Sequence, residues 1–239
     1  VLSKKKNFTF AAIIILLFFA FHSQNFRLDA SSDTLILQND KSFKFFNYYN
    51  EIFPSKNFLI LAIQSPNVID IDYIKKIQDI KKSLEKIRGV ESTFSIVDAP
   101  ILLANNIKIS DLSSNTIQTL NNSNIDLNIV LNEFSESPIF RDQIINTDKT
   151  VSSMIIYLNK DDKFNKIKKL KKKYFESNSK KKSEFNKLEK EYRQLKEKFN
   201  KNRNNLIKEI RYVLKNENIS YKYFLGGIDM IADDTLKFI

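Results

Sequence analysis

Apolar and polar positions follow several different rhythms along this chain. From Phe8 to Phe21 there is no alternation at all: "FTFAAIIILLFFAF" is apolar throughout except at Thr9. A helix crossing a bilayer needs about 20 mostly apolar residues. Carrying the run through His22, Ser23 and Gln24 to Phe26 gives about that length, with the polar residues at the far interface. Lys4, Lys5 and Lys6 precede it, which predicts a cytoplasmic N-terminus and export of the chain beyond the helix. The rival reading is a cleaved signal peptide, whose apolar region runs about 7–15 residues. No small-x-small cleavage site comes after Phe21, and "AFHSQNF" is bulky, so an uncleaved anchor is expected. His22 then sits at the interface and is not a proton carrier.

Beyond Pro54 the rhythm shortens. "NFLILAIQ" (57–64) is a β-rich apolar run and reads as a buried strand. Ile71, Ile74, Ile77, Ile80, Leu84 and Ile87 then recur at spacings of three and four, one apolar helix face with Lys75, Lys76, Lys81 and Lys82 off it. Arg88-Gly89 ends that helix with a basic last turn and a C-cap glycine. "VESTFSIV" (90–97) reads as a second strand, so the unit is β-α-β. Between Asp98 and Lys149, punctuated by Pro100 and Pro138, an insertion with one or two short helices is expected. "TVSSMIIYLN" (150–159) is a third strand and "ISYKYFLGG" (219–227) a fourth, closed by two glycines. A repeated β-α-β of this kind predicts an α+β, ferredoxin-like lobe.

A different period fills the gap between the last two strands. Phe185, Leu188, Tyr192, Leu195, Phe199, Asn202, Leu206 and Val213 step by three and four, slipping only at Ile210, where the repeat expects position 209. That is a 3.5-residue repeat held for about four heptads, with Asn202 as a polar core position. Phe164, Ile167, Leu170 and Tyr174 form a shorter apolar face upstream, and "ESNSKKKS" between the two is turn-like. The pattern predicts an antiparallel coiled-coil hairpin of helices about 15 and 33 residues long, the longer reaching about 50 Å.

Composition removes most chemistry from consideration. Among 239 residues there is no cysteine, one histidine (His22) and three glycines (Gly89, Gly226, Gly227). Disulfides, thiolate sites, multi-histidine metal centres and glycine-rich phosphate loops are thereby excluded. No acid/base pair or nucleophile constellation stands out, so no enzyme, cofactor or metal site is expected. The net charge is +11. Residues 160–217 hold 21 Lys and Arg against 9 Asp and Glu, a net +12, which leaves the remainder at −1. The basicity belongs to the hairpin, whose lysines lie mainly off the seam as a solvated face. Anionic headgroups or an acidic partner are the secondary reading, and export separates this segment from nucleic acid. The chain begins at Val1 and stops at "DTLKFI" within an apolar rise, the pattern expected of a piece of something longer.

The order of segments carries a resemblance. An apolar helix is followed by "RLDASSDTLILQND", a β-α-β unit and then "LGGIDMIADDTLKFI". This resembles the RND superfamily of exporters in its MmpL-like branch, whose members often carry "LDASADTL" after the first membrane helix. The matching residues are Leu28, Asp29, Ala30, Ser31, Asp33, Thr34 and Leu35 at the membrane-to-lobe junction. A second set, Gly226, Gly227, Met230, Ile231, Asp234, Phe238 and Ile239, matches the family's glycine turn into its second membrane helix. "VDAPILL" (97–103) is similar to the segment after the second porter strand. The resemblance covers nearly the whole chain, with residues 160–217 the least specific part.

The resemblance implies a proton-driven transporter of hydrophobic or lipid-like molecules in a bacterial inner membrane, this piece being its first membrane helix and first periplasmic porter domain. It divides the chain into 1–26 (cytoplasmic tip and transmembrane helix), 27–56 (junction), 57–159 (first β-α-β unit, insertion and third strand), 160–217 (basic hairpin), 218–228 (fourth strand) and 229–239 (start of a second membrane helix). The family's proton-relay acids lie in helices absent from this chain, so no catalytic residue carries over. Membrane lipid, the apolar cargo and the rest of the transporter are the implied partners, with a homo-oligomer or a periplasmic adaptor as further ones. Asp29, Asp33 and Asp40 fit a junction that marks the end of hydrocarbon, with Ser31, Ser32 or Asp33 capping a short helix near Thr34. A single-span anchored coiled-coil adaptor is the alternative from another class, with the heptads as its working surface.

Overall fold

The computed structural model describes residues 2–23, 40–54, 56–66, 68, 70–102, 118–121, 126–176, 182–217, 219–228 and 230–231. Its contacts divide the chain into two units, Val1–Phe45 and Phe46–Ile239.

In the first unit, helix α1 (Leu2–Ser23) is 22 residues long. Its apolar side chains are exposed, from Phe8 at 79% to Phe21 at 70%. Among the described residues no helix is long and apolar enough to cross a membrane, so the expected transmembrane helix over 1–26 is not supported as stated. The physical reason is length. The apolar stretch from Phe8 to Phe21, interrupted only at Thr9, reaches about 21 Å along a helix axis, short of the roughly 30 Å hydrocarbon layer. The residues that would extend it, 24–26, lie outside the described ones.

Helix α2 (Lys41–Ile52) lies within the stretch 27–56 expected as the junction, where no helix is expected from the sequence at these residues. Its signal is Asp40. That carboxylate accepts the backbone N–H of Ser42 at 2.6 Å and of Phe43 at 3.2 Å, satisfying two donors a helix start leaves open. The Phe43 and Ser42 bonds hold Asp40 below the ordinary aspartate pKa.

The second unit is built on a four-stranded antiparallel sheet of β1 (Phe58–Gln64), β2 (Val90–Ser95), β3 (Val151–Leu158) and β4 (Lys222–Gly226), in the order β2-β3-β1-β4. Registers Leu61↔Met154 and Leu61↔Leu225 fix β1 at the centre, between β3 and β4. Alternation decides which side chains go inward. Leu59, Leu61 and Ile63 of β1 are buried, as are Met154, Ile156 and Leu158 of β3. A one-residue slip would turn both sets to the other face. Two β-α-β halves whose strands interleave in this order form the split arrangement expected from the sequence.

Helix α3 (Ile71–Glu85) crosses from β1 to β2. Asp70 caps it by accepting from the Asp72 N–H at 3.1 Å, and Ile74, Ile77, Ile80 and Leu84 are buried. Two residues depart from the expected face. Ile71, the first helical position, is 60% exposed, while Tyr73 is fully buried. The Tyr73 hydroxyl shares a 2.5 Å hydrogen bond with Ser152 Oγ, and burial pushes its pKa up to about 12. Strand β2 stops two residues early because Asp98 reaches back. Its carboxylate accepts from the Ser95 N–H at 2.9 Å and the Ser95 hydroxyl at 3.1 Å, turning the chain at Ile96 and Val97.

The expected insertion contributes one helix among the described residues, α4 (Leu127–Glu136), capped by Asp126. Its Val130, Leu131 and Phe134 join the same core as the sheet and α3. Helices α5 (Asp162–Glu176) and α6 (Lys182–Asn216) form the expected hairpin, 15 and 35 residues long.

Candidate functional surfaces

Three surfaces of the second unit are candidates for function, and each is set by a different local rule. The first is the hairpin arm. Phe164 stacks on Phe199 with ring centroids 4.6 Å apart and on Tyr192 at 5.8 Å, while Tyr174 meets Phe185 at 5.5 Å. The pairs step along α5 and α6 in opposite directions, which is an antiparallel seam. Between them Lys171 Nζ lies 2.7 Å from Glu189 Oε2 and 4.1 Å from the Tyr192 ring centre, and Arg193 Nε lies 3.0 Å from Glu189 Oε1. Burial alone would push Glu189 up, but the hydrogen bonds from Lys171 and Arg193 outweigh it and hold the carboxyl below its ordinary value. A charge-assisted group at mid-seam fixes the register of two helices whose seam is buried at Phe164 and Ile167 of α5 and only half-buried at Phe185, Leu188, Tyr192, Leu195 and Phe199 of α6.

Asn202 is expected in that seam, and the structure leaves it exposed. Arg203 is buried in its place at 7% exposure, its guanidinium 5.1 Å from the Phe199 ring centre. The reason is a change of partner along α6. From Leu206 onward the helix leaves α5 and packs Leu206, Ile207, Ile210 and Leu214 into the core under the sheet. That face follows the 3.6-residue period of an ordinary amphipathic helix, not the 3.5-residue seam. The slip at Ile210 is where the two periods part.

At its C-terminal end α6 is latched to α3. Glu217 accepts from the Ser83 hydroxyl at 2.6 Å and from Lys76 Nζ at 3.0 Å, and Lys76 also donates to the Glu217 carbonyl. The Ser83 and Lys76 bonds hold Glu217 below its ordinary pKa of 4.5. The sequence pattern puts Lys76 on a solvated face; its partner lies 141 residues further on, which no local pattern reveals.

The second surface is the turn after β4. Gly226 ends the strand opposite Ile60, and nothing stands within 4 Å of where its Cβ would be. Gly227 differs: its φ is +148°, and a Cβ there would meet Leu59 Cδ2 at 2.7 Å and the Phe58 carbonyl oxygen at 3.1 Å. Only glycine fits this close approach of the turn to β1. The N–H groups of Met230 and Ile231 both donate to the Gly227 carbonyl, at 3.1 and 3.0 Å, which opens a helical turn. Met230 packs partly buried against the core, and Ile231 is exposed at 67%. Of this expected motif the structure thus brings together Gly226, Gly227, Met230 and Ile231. Asp234, Phe238 and Ile239 lie outside the described residues, and so does the whole junction motif Leu28, Asp29, Ala30, Ser31, Asp33, Thr34 and Leu35.

"VDAPILL" is described as far as Leu102 and is structural. Asp98 pairs with Lys81 of α3 as well as Ser95. Ala99 and Ile101 are fully buried, and the Leu102 N–H donates to Glu133 Oε1 at 2.7 Å.

The third surface is the outer face of the sheet. Phe58 (44% exposed), Ile60 (41%) and Phe224 (55%) point away from α3, with Ile155 and Tyr157 beside them only half-buried. Lys56 lies over Tyr157 and Lys222 over Phe224, at 5.4 and 5.0 Å from the ring centres. The face is apolar in the middle, with Lys222 at one margin and Lys56, ion-paired to Glu91 at 2.5 Å, at another.

Among the described residues no group of three or more His, Cys, Asp or Glu is placed to hold a metal ion. No protein-family model matches the chain, and no curated protein matches it.

Proposed function

We propose that this chain is the first membrane helix and exported, ferredoxin-like porter lobe of a proton-driven transporter, similar to the MmpL-like branch of RND exporters, moving hydrophobic or lipid-like molecules. The observation that carries the reading is an arrangement. A split β-α-β sheet ends at β4 in the Gly226-Gly227 turn, from which a helical turn opens, and an exposed apolar helix lies upstream in the sequence. In this reading α1 is an anchor, with Lys4, Lys5 and Lys6 preceding its apolar stretch on the cytoplasmic side. The apolar outer face of the sheet supplies a surface for a greasy cargo or a second, similar lobe. The protein works through moving surfaces, without a catalytic side chain in this lobe.

Topology tests it. The chain has no cysteine, so Lys187→Cys on the arm gives one labelling site. A membrane-impermeant maleimide should label it in intact cells once the outer membrane is permeabilised. Labelling only after the inner membrane is broken would reverse the orientation and end the transporter reading. Sequencing the gene beyond Ile239 is the companion test, since a transporter continues into further membrane helices.

The anchored-adaptor reading is favoured by one observation: among the described residues the outer half of α6 packs along α5, and its Lys187, Lys190, Lys198 and Lys201 are exposed. It predicts no membrane helix after Ile239 and loss of a protein partner when the arm is removed.

A further inference from the structure

The 12 residues of α2, "KSFKFFNYYNEI", pack the wrong way round for a helix of a free-standing globule. Such a helix turns its apolar stripe to the core and its charges to water. At 100° per residue, Phe45, Phe46, Tyr48, Tyr49, Ile52 and the adjoining Phe53 share one stripe roughly 160° wide, with Lys44 and Glu51 off it and the half-buried Phe43 on the far side. Every member of that stripe is at least 50% exposed, Tyr48 at 62% and Phe53 at 59% among them. Off the stripe, Glu51 lies 3.9 Å from Lys172 of α5. Within the stripe Tyr49 and Phe53 touch each other, ring centres 4.9 Å apart, and remain exposed.

We infer that α2 is an interfacial helix whose aromatic stripe lies in the headgroup–acyl boundary of a lipid bilayer, a second and shallow membrane contact in addition to α1. The inference rests on the proposed anchor reading for its geography, and four features point to lipid. Tyrosine and phenylalanine together, apolar bodies with two polar tips, suit the interface better than the hydrocarbon centre. Lys41 and Lys44 are exposed at the first turn and complement anionic headgroups. The helix is about 18 Å long, too short to span a bilayer and long enough to lie in its surface. It begins at Lys41, 18 positions after α1 closes at Ser23, so an inserted α1 keeps it near the membrane. A second copy of the chain is the weaker occupant. Counting about half of the 150–250 Å² of each aromatic side chain, the stripe offers on the order of 600 Å², against about 800 Å² per partner in a stable interface.

The chain contains no tryptophan, which makes the test direct. Tyr48→Trp in the full chain, reconstituted in vesicles of phosphatidylcholine with phosphatidylglycerol, places one indole on the stripe; Phe46→Trp serves if that variant does not fold. Phe18→Trp, in the middle of α1, reports the anchor. With bromines on the acyl chains near the headgroup, the stripe indole should show a blue-shifted emission and a roughly twofold loss of intensity. Bromines near the bilayer centre should quench it little, as expected about 5–10 Å deep. Water-exposed emission without quenching, while the anchor indole is quenched by the deep bromines, overturns the inference and leaves the anchor standing. A blue shift without bromine quenching also overturns it, in favour of a protein partner or second copy. If neither indole is quenched, both readings fall. If the stripe indole alone is quenched, the interfacial helix stands and the anchor falls.

Discussion

The two halves of α6 sit in one unbroken helix and obey different rules. The C-terminal half presents Leu206, Ile207, Ile210 and Leu214, all at most 8% exposed, to the core it shares with the sheet and α3. Among the described residues the outer half presents Phe185, Leu188, Tyr192, Leu195 and Phe199, all only half-buried, to the neighbouring α5. One half is held by burial among many elements. The other is held by stacked rings and the Lys171–Glu189–Arg193 group. A long apolar periodicity therefore reports how many positions need cover, not what covers them.

Substitutions in either half can test this contrast. Ile210→Ala should destabilise the second unit most, by about 2–5 kcal/mol, because a filled site in the core becomes a cavity. Leu195→Ala in the arm should cost under about 1 kcal/mol, since that position is already half open to water. Urea unfolding of both variants checks the gap, and equal costs would mean that the arm is as tightly packed as the core. Leu195→Pro should remove about 3 kcal/mol of helix stability locally. Helical circular dichroism should fall, while amide exchange in β1 and β3 stays slow. Loss of that protection would show that the arm and the lobe unfold as one.

Two smaller effects lie at the edges of the core. Gly227→Ala should cost about 1–3 kcal/mol through its left-handed backbone and its clash with Leu59, while Gly226→Ala one position earlier should cost less than about 1 kcal/mol. Thermal unfolding of the pair reads the contrast. The latch at Glu217 gives the smallest effect. Its folded pKa lies below its ordinary 4.5. Its contribution is therefore full above that value and is lost as pH falls through the lower folded value. Glu217→Gln should be modestly less stable than the parent at neutral pH. Melting temperatures of the two proteins should converge as pH drops below about 4.5, the ordinary glutamate range. A gap that persists in acid would assign the loss to packing instead of charge.

Much of the fold is legible in local spacing. Alternation in "NFLILAIQ" and "TVSSMIIYLN" locates β1 and β3, and the Ile-rich face of α3 locates the first crossover, because a strand or helix against one core must repeat its own geometry. What stays hidden is whatever depends on a distant partner. Asn202 reads as a seam residue only while α5 is assumed to run alongside, and Ile71 looks like Ile74 until the helix start is placed. Lys76 is indistinguishable from Lys75 without knowing where Glu217 returns. Helix α2 is hidden for another reason: Phe and Tyr around its exposed side look like noise to a search for buried faces. The candidate motif is half legible, since the structure gives Gly227 a physical necessity that the string "LGG" only suggests.

The absence of a break in α6 has a mechanical side. From Lys182 to Arg203 the helix stands clear of the core for about 30 Å, while its other end is wedged beneath the sheet and pinned beside Gly89, where Leu206 sits 3.2 Å from the place a Cβ would occupy. A stiff rod seated this way is a lever with its fulcrum near Leu206: a tilt of about 10° at the seat swings the tip by roughly 5 Å, and a push on the tip is delivered, shortened and strengthened, to the strands.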